Sequence, residues 1–229
     1  MEGAPRRGYF VTGTGTEVGK TVVAAVTAHA HARRGERVAG FKPALSGLDE
    51  VAAAGGEPDH ALLRRAAGSV QRDDEIAPYR YRPAVSPHLG AELAGERIDP
   101  ERIRDRAARA AAAADVLVCE GVGGFLVPLT LDYLVRDLAR DLALPVLIAS
   151  SPGLGTINHT LLTIEAVRRA GLEVRAVVLT PWPARPGTLE RSNRDSIEQL
   201  GRARVEVLPA IDLAEQRSWP HPGWVEASA

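Results

Sequence analysis

The stretch Gly13-Thr-Gly-Thr-Glu-Val-Gly-Lys-Thr21 decides how this chain is read. An apolar run, Tyr9-Phe-Val-Thr12, precedes it, and an alanine- and valine-rich run from Lys20 to Arg34 follows and closes near Gly35. A glycine-rich turn between a strand and a helix, ending in Gly-Lys-Thr, is the pattern of a phosphate loop. Its backbone N–H groups close around phosphate oxygens, the lysine reaches the β/γ-phosphates and the threonine hydroxyl faces Mg²⁺. The helix that follows adds its positive N-terminal end. One position departs from the general pattern: Thr14 stands where the first glycine is expected, and Gly13 is one place early.

Outward from this loop, short apolar runs alternate with helical patterns. Strands are expected at Tyr9–Thr12, Arg37–Phe41, Asp115–Cys119, Pro145–Ala149, Glu173–Leu179 and Val205–Leu208. Helices are expected at Lys20–Arg34, Asp59–Ala67, Pro100–Ala114, Leu134–Ala143, Ile157–Ala170 and Thr188–Leu200. Pro100 stands in the favoured first-turn place. Arg72 to Pro87 reads as a long loop, and the tail after Gln216 as loosely ordered. Such alternation implies an α/β fold of the P-loop NTPase-like kind, a mostly parallel sheet with helices on both faces. Ligands then bind beyond the carboxyl ends of the strands. The candidate segments follow that rule: Gly13 to Thr21 after the first strand, Lys42 to Gly47 after the second, Glu120 to Gly124 after the third, Ser150 to Asn158 after the fourth. Residues 1–229 read as one domain, without internal repeat or linker.

Of the 28 basic residues only two, Lys20 and Lys42, are lysine; the rest are arginine. An ammonium acts as a compact point charge with a tunable pKa, whereas a guanidinium is a rigid, permanently charged fork. The bias therefore singles out both lysines. A net charge of −1 with dispersed arginines gives no electrostatic footprint for nucleic acid or an anionic membrane. No apolar stretch approaches the ~20 residues of a membrane span. Met1 to Gly8 lacks the apolar core of a signal peptide. A single cysteine, Cys119 in an apolar run, excludes an intrachain disulfide and fits a reducing cytosol, where it reads as a small hydrophobe.

Two acids are candidates for metal binding. Glu120 ends an apolar strand, where a carboxylate can bind Mg²⁺ or simply face solvent. The Gly121-Val-Gly-Gly124 run beside it suits close backbone approach. Asp59 precedes a helical run, so its first reading is an N-cap.

The loop, together with Gly40-Phe-Lys-Pro-Ala-Leu-Ser-Gly47, Ser86-Pro-His88 and Cys119-Glu-Gly-Val-Gly-Gly124, resembles the dethiobiotin synthetase family in order and spacing from about residue 8 to about residue 210. The resemblance implies a cytoplasmic, ATP- and Mg²⁺-dependent cyclo-ligase of biotin synthesis. It closes a cyclic urea from 7,8-diaminononanoate and CO₂, releases ADP and phosphate, and acts as a homodimer. It implies that Glu17, Val18, Gly19, Lys20, Thr21 and Val22 cradle the triphosphate, and that Thr21, Asp59 and Glu120 hold Mg²⁺, which promotes Asp59 above its capping role. Gly121, Val122, Gly123, Thr180, Pro181, Pro209, Ala210 and Ile211 would line the nucleotide. Lys42 would be the second catalytic lysine beside Lys20. Thr16, Ser46, Pro87 and the segment Leu154, Gly155, Thr156 and Asn158 would meet the diamine, the last of these across the subunit interface. His88 and His159 also match family positions.

Two departures stand out. Where family members carry an Asn-Asp pair that reads adenine, this chain has Thr180-Pro181. One hydroxyl cannot make the paired contacts of a planar amide, and proline has no N–H, so CTP, GTP or other triphosphates are expected to serve beside ATP. Asn193 replaces a tyrosine thought to touch the substrate carboxylate. Three rival readings lack their signatures. A partition or septum-positioning switch ATPase needs a lysine where Gly15 stands. A GTP switch needs an Asn-Lys-x-Asp motif, and the two asparagines here lie in Asn158-His and Asn193-Arg. A cobyrinic-acid amide synthetase normally carries a glutaminase domain, for which the chain has no room.

Overall fold

A computed structural model of the chain describes residues 7–225. The reading of Met1 to Gly8 falls mostly outside that range, as do residues 226–229 of the tail. In chain order the elements are β1 (Gly8–Gly13), α1 (Lys20–Ala32), β2 (Val38–Phe41), β3 (Ala44–Leu45), α2 (Leu48–Ala53), α3 (Asp59–Ala67), α4 (Asp73–Ile76), β4 (Tyr79–Arg80), α5 (Pro87–Leu93) and α6 (Pro100–Ala112). They continue with β5 (Val116–Glu120), β6 (Pro128–Thr130), β7 (Tyr133–Leu134), α7 (Val135–Leu142), β8 (Val146–Ser150), α8 (Thr156–Arg169), β9 (Val174–Trp182), α9 (Thr188–Gly201) and β10 (Val205–Pro209).

The six long strands form one sheet in the order β10-β9-β8-β1-β5-β2, and every pairing in it is parallel. Burial on both faces explains why these strands read as continuous apolar runs. Successive side chains divide between two cores. Phe10, Leu117, Cys119, Ile148 and Leu179 enter the core that α6, α7, α8 and α9 cover. Tyr9, Val11, Val118, Leu147 and Val178 enter the core under α1 and α3. The chain leaves central β1 toward β2 and later returns to β8 on the other side. The phosphate loop thus follows the strand at which the winding reverses, where open α/β sheets bind ligands.

Three expectations are corrected. Arg72 to Pro87 is not one loop: it holds α4, then β4, which pairs in parallel with β3, and it ends at the first residue of α5. Tyr79 and Tyr81 are buried there and anchor the segment. The tail after Gln216 is not loose as far as Val225. Trp219 and Trp224 are buried in the core beneath α1, and the Trp224 indole donates to Thr27 Oγ1 at 2.9 Å. Finally, β9 runs on past Leu179 to Trp182, so Thr180 and Pro181 stand on a strand.

One edge of the sheet is β2 and the other is β10. On β2 the Gln71 side chain replaces a neighbouring strand: its Oε1 accepts from Gly40 N at 2.9 Å and its Nε2 donates to Gly40 O at 3.1 Å. That pairing blunts an edge that would otherwise offer backbone groups to another chain. A cavity of about 770 Å³ lies beside this edge, lined by Val38, Gln71, Arg72, Arg106 and Arg109 among others, and contains none of the candidate site residues.

Candidate active site

The phosphate loop owes its shape to two left-handed residues, Glu17 at φ 59° and Gly19 at φ 89°. Such alternation turns successive N–H groups toward one concave point, an anion-binding nest. Only glycine suits position 19: a Cβ there would stand 2.4 Å from Thr180 Cγ2, so the end of β9 closes against the loop. A Cβ on Gly13 would meet Val18 Cγ2 at 2.6 Å, while one on Gly15 would meet nothing within 4 Å. The Gly121–Gly124 run packs alongside: a Cβ on Gly124 would lie 3.7 Å from Gly13 O. Lys20 Nζ donates to Gly15 O at 2.6 Å, at the head of α1.

Beside the loop, Lys42 meets both candidate carboxylates, and Lys20 stands close enough to feel their charge. Lys42 follows β2, Asp59 opens α3, and Glu120 is the last residue of β5. Lys42 Nζ donates to Asp59 Oδ2 at 2.5 Å and to Glu120 Oε1 at 2.6 Å, and Thr21 Oγ1 donates to the same Glu120 oxygen at 2.9 Å. Lys42 is 4% exposed and Glu120 0%. The N-cap reading of Asp59 is corrected, because Pro58 is the capping residue and the Asp59 carboxylate turns to Lys42 instead.

The electrostatics follow from burial against pairing. Burial alone would lower the pKa of Lys42, but Glu120 and Asp59 outweigh it and hold the ammonium above the ordinary lysine range. Burial dominates for Lys20 and keeps its pKa below that range, with Glu120 opposing and Lys42 assisting. Burial likewise pushes the Glu120 carboxyl up against the pull of Lys42. For Asp59 burial is overcome, and Lys42 and Thr21 hold its carboxyl below the usual range. Burial raises the Cys119 thiol well above normal, which fits its reading as an inert core residue.

The donors expected to hold Mg²⁺ suit that ion. All are oxygens, two are carboxylates, and Glu120 Oε2 is buried with no hydrogen-bond partner among the described residues. No group of three or more His, Cys, Asp or Glu side chains among those residues is arranged to hold a metal ion. A hydroxyl and two carboxylates leave positions for water and substrate phosphate, as Mg²⁺ prefers.

The remaining candidates are more scattered. Val18 and Val22 are half-buried at the loop, and Val122 and Gly123 lie beside it. Thr16 is exposed, its Oγ1 3.8 Å from where a Gly123 Cβ would be. Pro209, which ends β10, pairs in register with Trp182, so Pro209, Ala210 and Ile211 continue the ledge formed by Thr180 and Pro181. Ser46 follows β3 and Pro87 opens α5. In the turn before α8 Leu154 is 91% exposed, and Asn158 and His159, at the start of α8, are exposed. The hydroxyl of Thr156, in contrast, points inward to Ser150 Oγ at 2.8 Å. Asn193 is buried, and its Nδ2 donates to Pro152 O at 2.9 Å and Gly153 O at 3.0 Å. It therefore braces this turn. His88 is half-buried, and its Nδ1 has no partner among the described residues. Sequence reasoning missed the bracing role of Asn193 and a hydroxyl cluster around Ser150. The one available signal was Thr156 and Thr160 at helical i, i+4 spacing.

A parallel sheet with a phosphate loop after its central strand, an acid ending the neighbouring strand and two lysines between them defines a P-loop nucleoside-triphosphate-binding protein. Comparison with solved structures agrees on the fold: chloroplast FtsY from Physcomitrella patens is similar at TM-score 0.51 and 15% identity, covering 92% of this chain and 61% of that one. A family model described as an AAA domain matches residues 7–221. The chain is 43% identical over 225 residues to the ATP-dependent dethiobiotin synthetase of Aromatoleum aromaticum, covering 97% of this chain and 96% of that protein. The enzyme of the same name from Bacillus velezensis is 33% identical over 216 residues, covering 94% and 91%. The chain belongs to the family of ATP-dependent dethiobiotin synthetases.

Proposed function

We propose that this protein uses a nucleoside triphosphate to close the ureido ring of dethiobiotin from 7,8-diaminononanoate and CO₂. The observation that carries the reading is the meeting of Lys20, Lys42, Asp59 and Glu120 at the carboxyl ends of adjacent strands. One amine of the substrate captures CO₂ as a carbamate. A carbamate oxygen attacks the γ-phosphorus and ADP leaves. The second amine attacks the carbonyl of the resulting carbamic–phosphoric anhydride and expels phosphate. Each step gathers negative charge beside phosphate oxygens and calls for fixed positive charge and positioning rather than a nucleophilic side chain.

Lys42, held as an ammonium by its two carboxylates, cannot serve as a proton acceptor near neutral pH, so it works as a fixed charge. Lys20 and the N–H groups between Glu17 and Val22 hold the triphosphate. Mg²⁺ bound by Thr21, Asp59 and Glu120 supplies further neutralisation of the phosphate oxygens. The segment Leu154 to Asn158 contacts the diamine of the neighbouring subunit in a homodimer, for which exposed Leu154 supplies an apolar contact. The buried lone Cys119 fits a cytoplasmic setting. Among the described residues no helix is long and apolar enough to cross a membrane.

Base choice is relaxed in this reading. Thr180 turns its methyl group to Gly19 and offers one hydroxyl, and Pro181 offers no N–H. The test is phosphate release with diamine and bicarbonate, comparing ATP with CTP and recording product mass. A cyclic-urea product formed only with diamine supports the reaction, and CTP turnover comparable to that with ATP supports relaxed base choice. Phosphate release indifferent to diamine refutes the reaction, and inert CTP refutes the base argument.

A further inference from the structure

The phosphate loop and the turn before α8 are joined by a closed set of hydroxyl groups. Thr14 Oγ1 lies 3.2 Å from Ser150 Oγ. Ser150 Oγ lies 2.8 Å from Thr156 Oγ1 and 3.0 Å from Thr160 Oγ1, and the two threonine oxygens are 3.3 Å apart. Ser150, Thr156 and Thr160 are all nearly inaccessible to solvent. Each hydroxyl has one proton and two lone pairs. The count closes if Ser150, Thr156 and Thr160 donate in a ring and Thr14 donates into it at Ser150. Every proton is then used, and only Thr14 keeps both lone pairs outside the ring. Losing one hydroxyl leaves another buried polar group without its partner.

Position gives the network its consequence. Ser150 ends β8, the neighbour of β1, and Thr14 N donates to Ala149 O at 3.1 Å, so the two loops leave the sheet side by side. Thr156 and Thr160 lie in the first turns of α8, after left-handed Gly155. On the far side Asn193 grips Pro152 O and Gly153 O. The turn 151–155 is therefore braced by α9 on one flank and tied through Ser150 to the phosphate loop on the other. A valine would fill the volume of Thr160 without any polar requirement, so volume alone does not account for four hydroxyls here.

We propose that Ser150 is a positioning residue that couples the phosphate loop to the turn 151–158, so that bound nucleotide fixes the surface offered to the second substrate. This rests on the reading of Leu154 to Asn158 as the diamine-contacting segment. Coupling of this kind is reciprocal: nucleotide strengthens diamine binding and diamine strengthens nucleotide binding by the same factor.

The test compares the parent chain with Ser150→Ala and with the pair Thr160→Val and Thr160→Ser, which remove and retain a hydroxyl at one position. Amide hydrogen exchange of residues 153–160 is measured with and without saturating Mg-ADP, and the KM values for diamine and nucleotide are measured alongside. In the parent and in Thr160→Ser, nucleotide should slow exchange in this segment by about five-fold or more, the lower end of ordinary coupling. In Ser150→Ala and Thr160→Val the protection should fall below about two-fold, and the KM for diamine at saturating nucleotide and the KM for nucleotide at saturating diamine should rise by a similar factor. A parent chain without nucleotide-dependent protection overturns the proposal, as does full protection in both hydroxyl-free variants. If Ser150→Ala fails to fold, the Thr160 pair decides. Protection that behaves as described, without any urea product, leaves the coupling standing and refutes the diamine reading alone.

Discussion

Replacing Lys42 with methionine tests the electrostatic account of the site most directly. In the parent, one ammonium satisfies Asp59 and the fully buried Glu120 at 2.5 and 2.6 Å. Methionine removes the charge and keeps an unbranched stem. Removing one partner of a buried ion pair costs about 3–5 kcal/mol, because the other charge is left uncompensated. At roughly 2–4 °C per kcal/mol for a chain of this size, the midpoint of thermal unfolding should fall by about 6–20 °C. Lys20→Met should behave differently. Its ammonium donates to a backbone carbonyl, worth about 1.5–3 kcal/mol, and the attraction to Glu120 that is lost with it is partly offset by relief of repulsion from Lys42. Both variants should lose activity, by at least the 10²–10³-fold typical of one transition-state donor; Lys42→Met should lose the more stability.

The same variant carries a pH signature. Burial already raises the Glu120 carboxyl and Lys42 opposes that rise, so without Lys42 the carboxyl moves further up. The folded variant then binds more protons than the unfolded chain from about pH 4.3 upward, and its stability falls as pH rises through that window. Its deficit against the parent should be larger at pH 7.5 than at pH 5, measured by urea unfolding at both. A Lys42→Met chain within about 1 kcal/mol of the parent at pH 7.5 would refute the claim that this ammonium compensates buried charge.

Gly19→Ala should abolish nucleotide binding and cost about 1–2 kcal/mol or more, since it places a Cβ at φ 89° and 2.4 Å from Thr180 Cγ2; titration with a fluorescent nucleotide checks the first and urea unfolding the second. Trp224→Ala should cost about 3–5 kcal/mol in urea unfolding, as expected for a buried aromatic, whereas a loosely held tail would cost under about 0.5 kcal/mol. Burial holds the pKa values of His29 and His60 below normal. Both therefore contribute stability that is full above about pH 6.5 and is lost as pH falls from there toward their folded values, so the unfolding midpoint should drop between pH 7 and pH 5.5, and a flat profile would contradict this.

The central strands were legible because each is buried on two faces and must be apolar throughout, as in Val116–Cys119 and Val146–Ala149. The two- and three-residue strands β3, β4, β6 and β7 are too short to show any period, and Tyr79 and Tyr81 looked like loop residues until their burial was seen. The tail illustrates a different limit. Its tryptophans were visible, but the bond that orders Trp224 reaches Thr27 across 197 residues of sequence, and no local pattern encodes that. Within the site, Lys20, Thr21 and Glu120 announced themselves by place in a motif or at a strand end. Asp59 did not, because an acid opening a helix has an ordinary explanation. Ser150 showed only as the first residue of a candidate segment and Thr160 only by its spacing from Thr156, since a lone hydroxyl carries no chemistry until its neighbours are known.

The choice of lysine at position 42 follows from donor geometry. The Lys42 side chain is nearly inaccessible, and its ammonium lies between two carboxylates that approach one nitrogen from α3 and from the end of β5. An ammonium presents three N–H donors from a single atom. Two are used by Asp59 and Glu120, which leaves a third on the same atom while the charge stays fixed. A guanidinium spreads its donors across a planar fork matched to one carboxylate held edge-on, and its greater bulk in a packed interior forces neighbours to move. In a chain that is otherwise arginine-rich, the two places where a point charge must sit inside the protein are the two that carry lysine. The composition and the geometry are thus one constraint seen twice: buried acids and substrate phosphate both need a cation small enough to be shared.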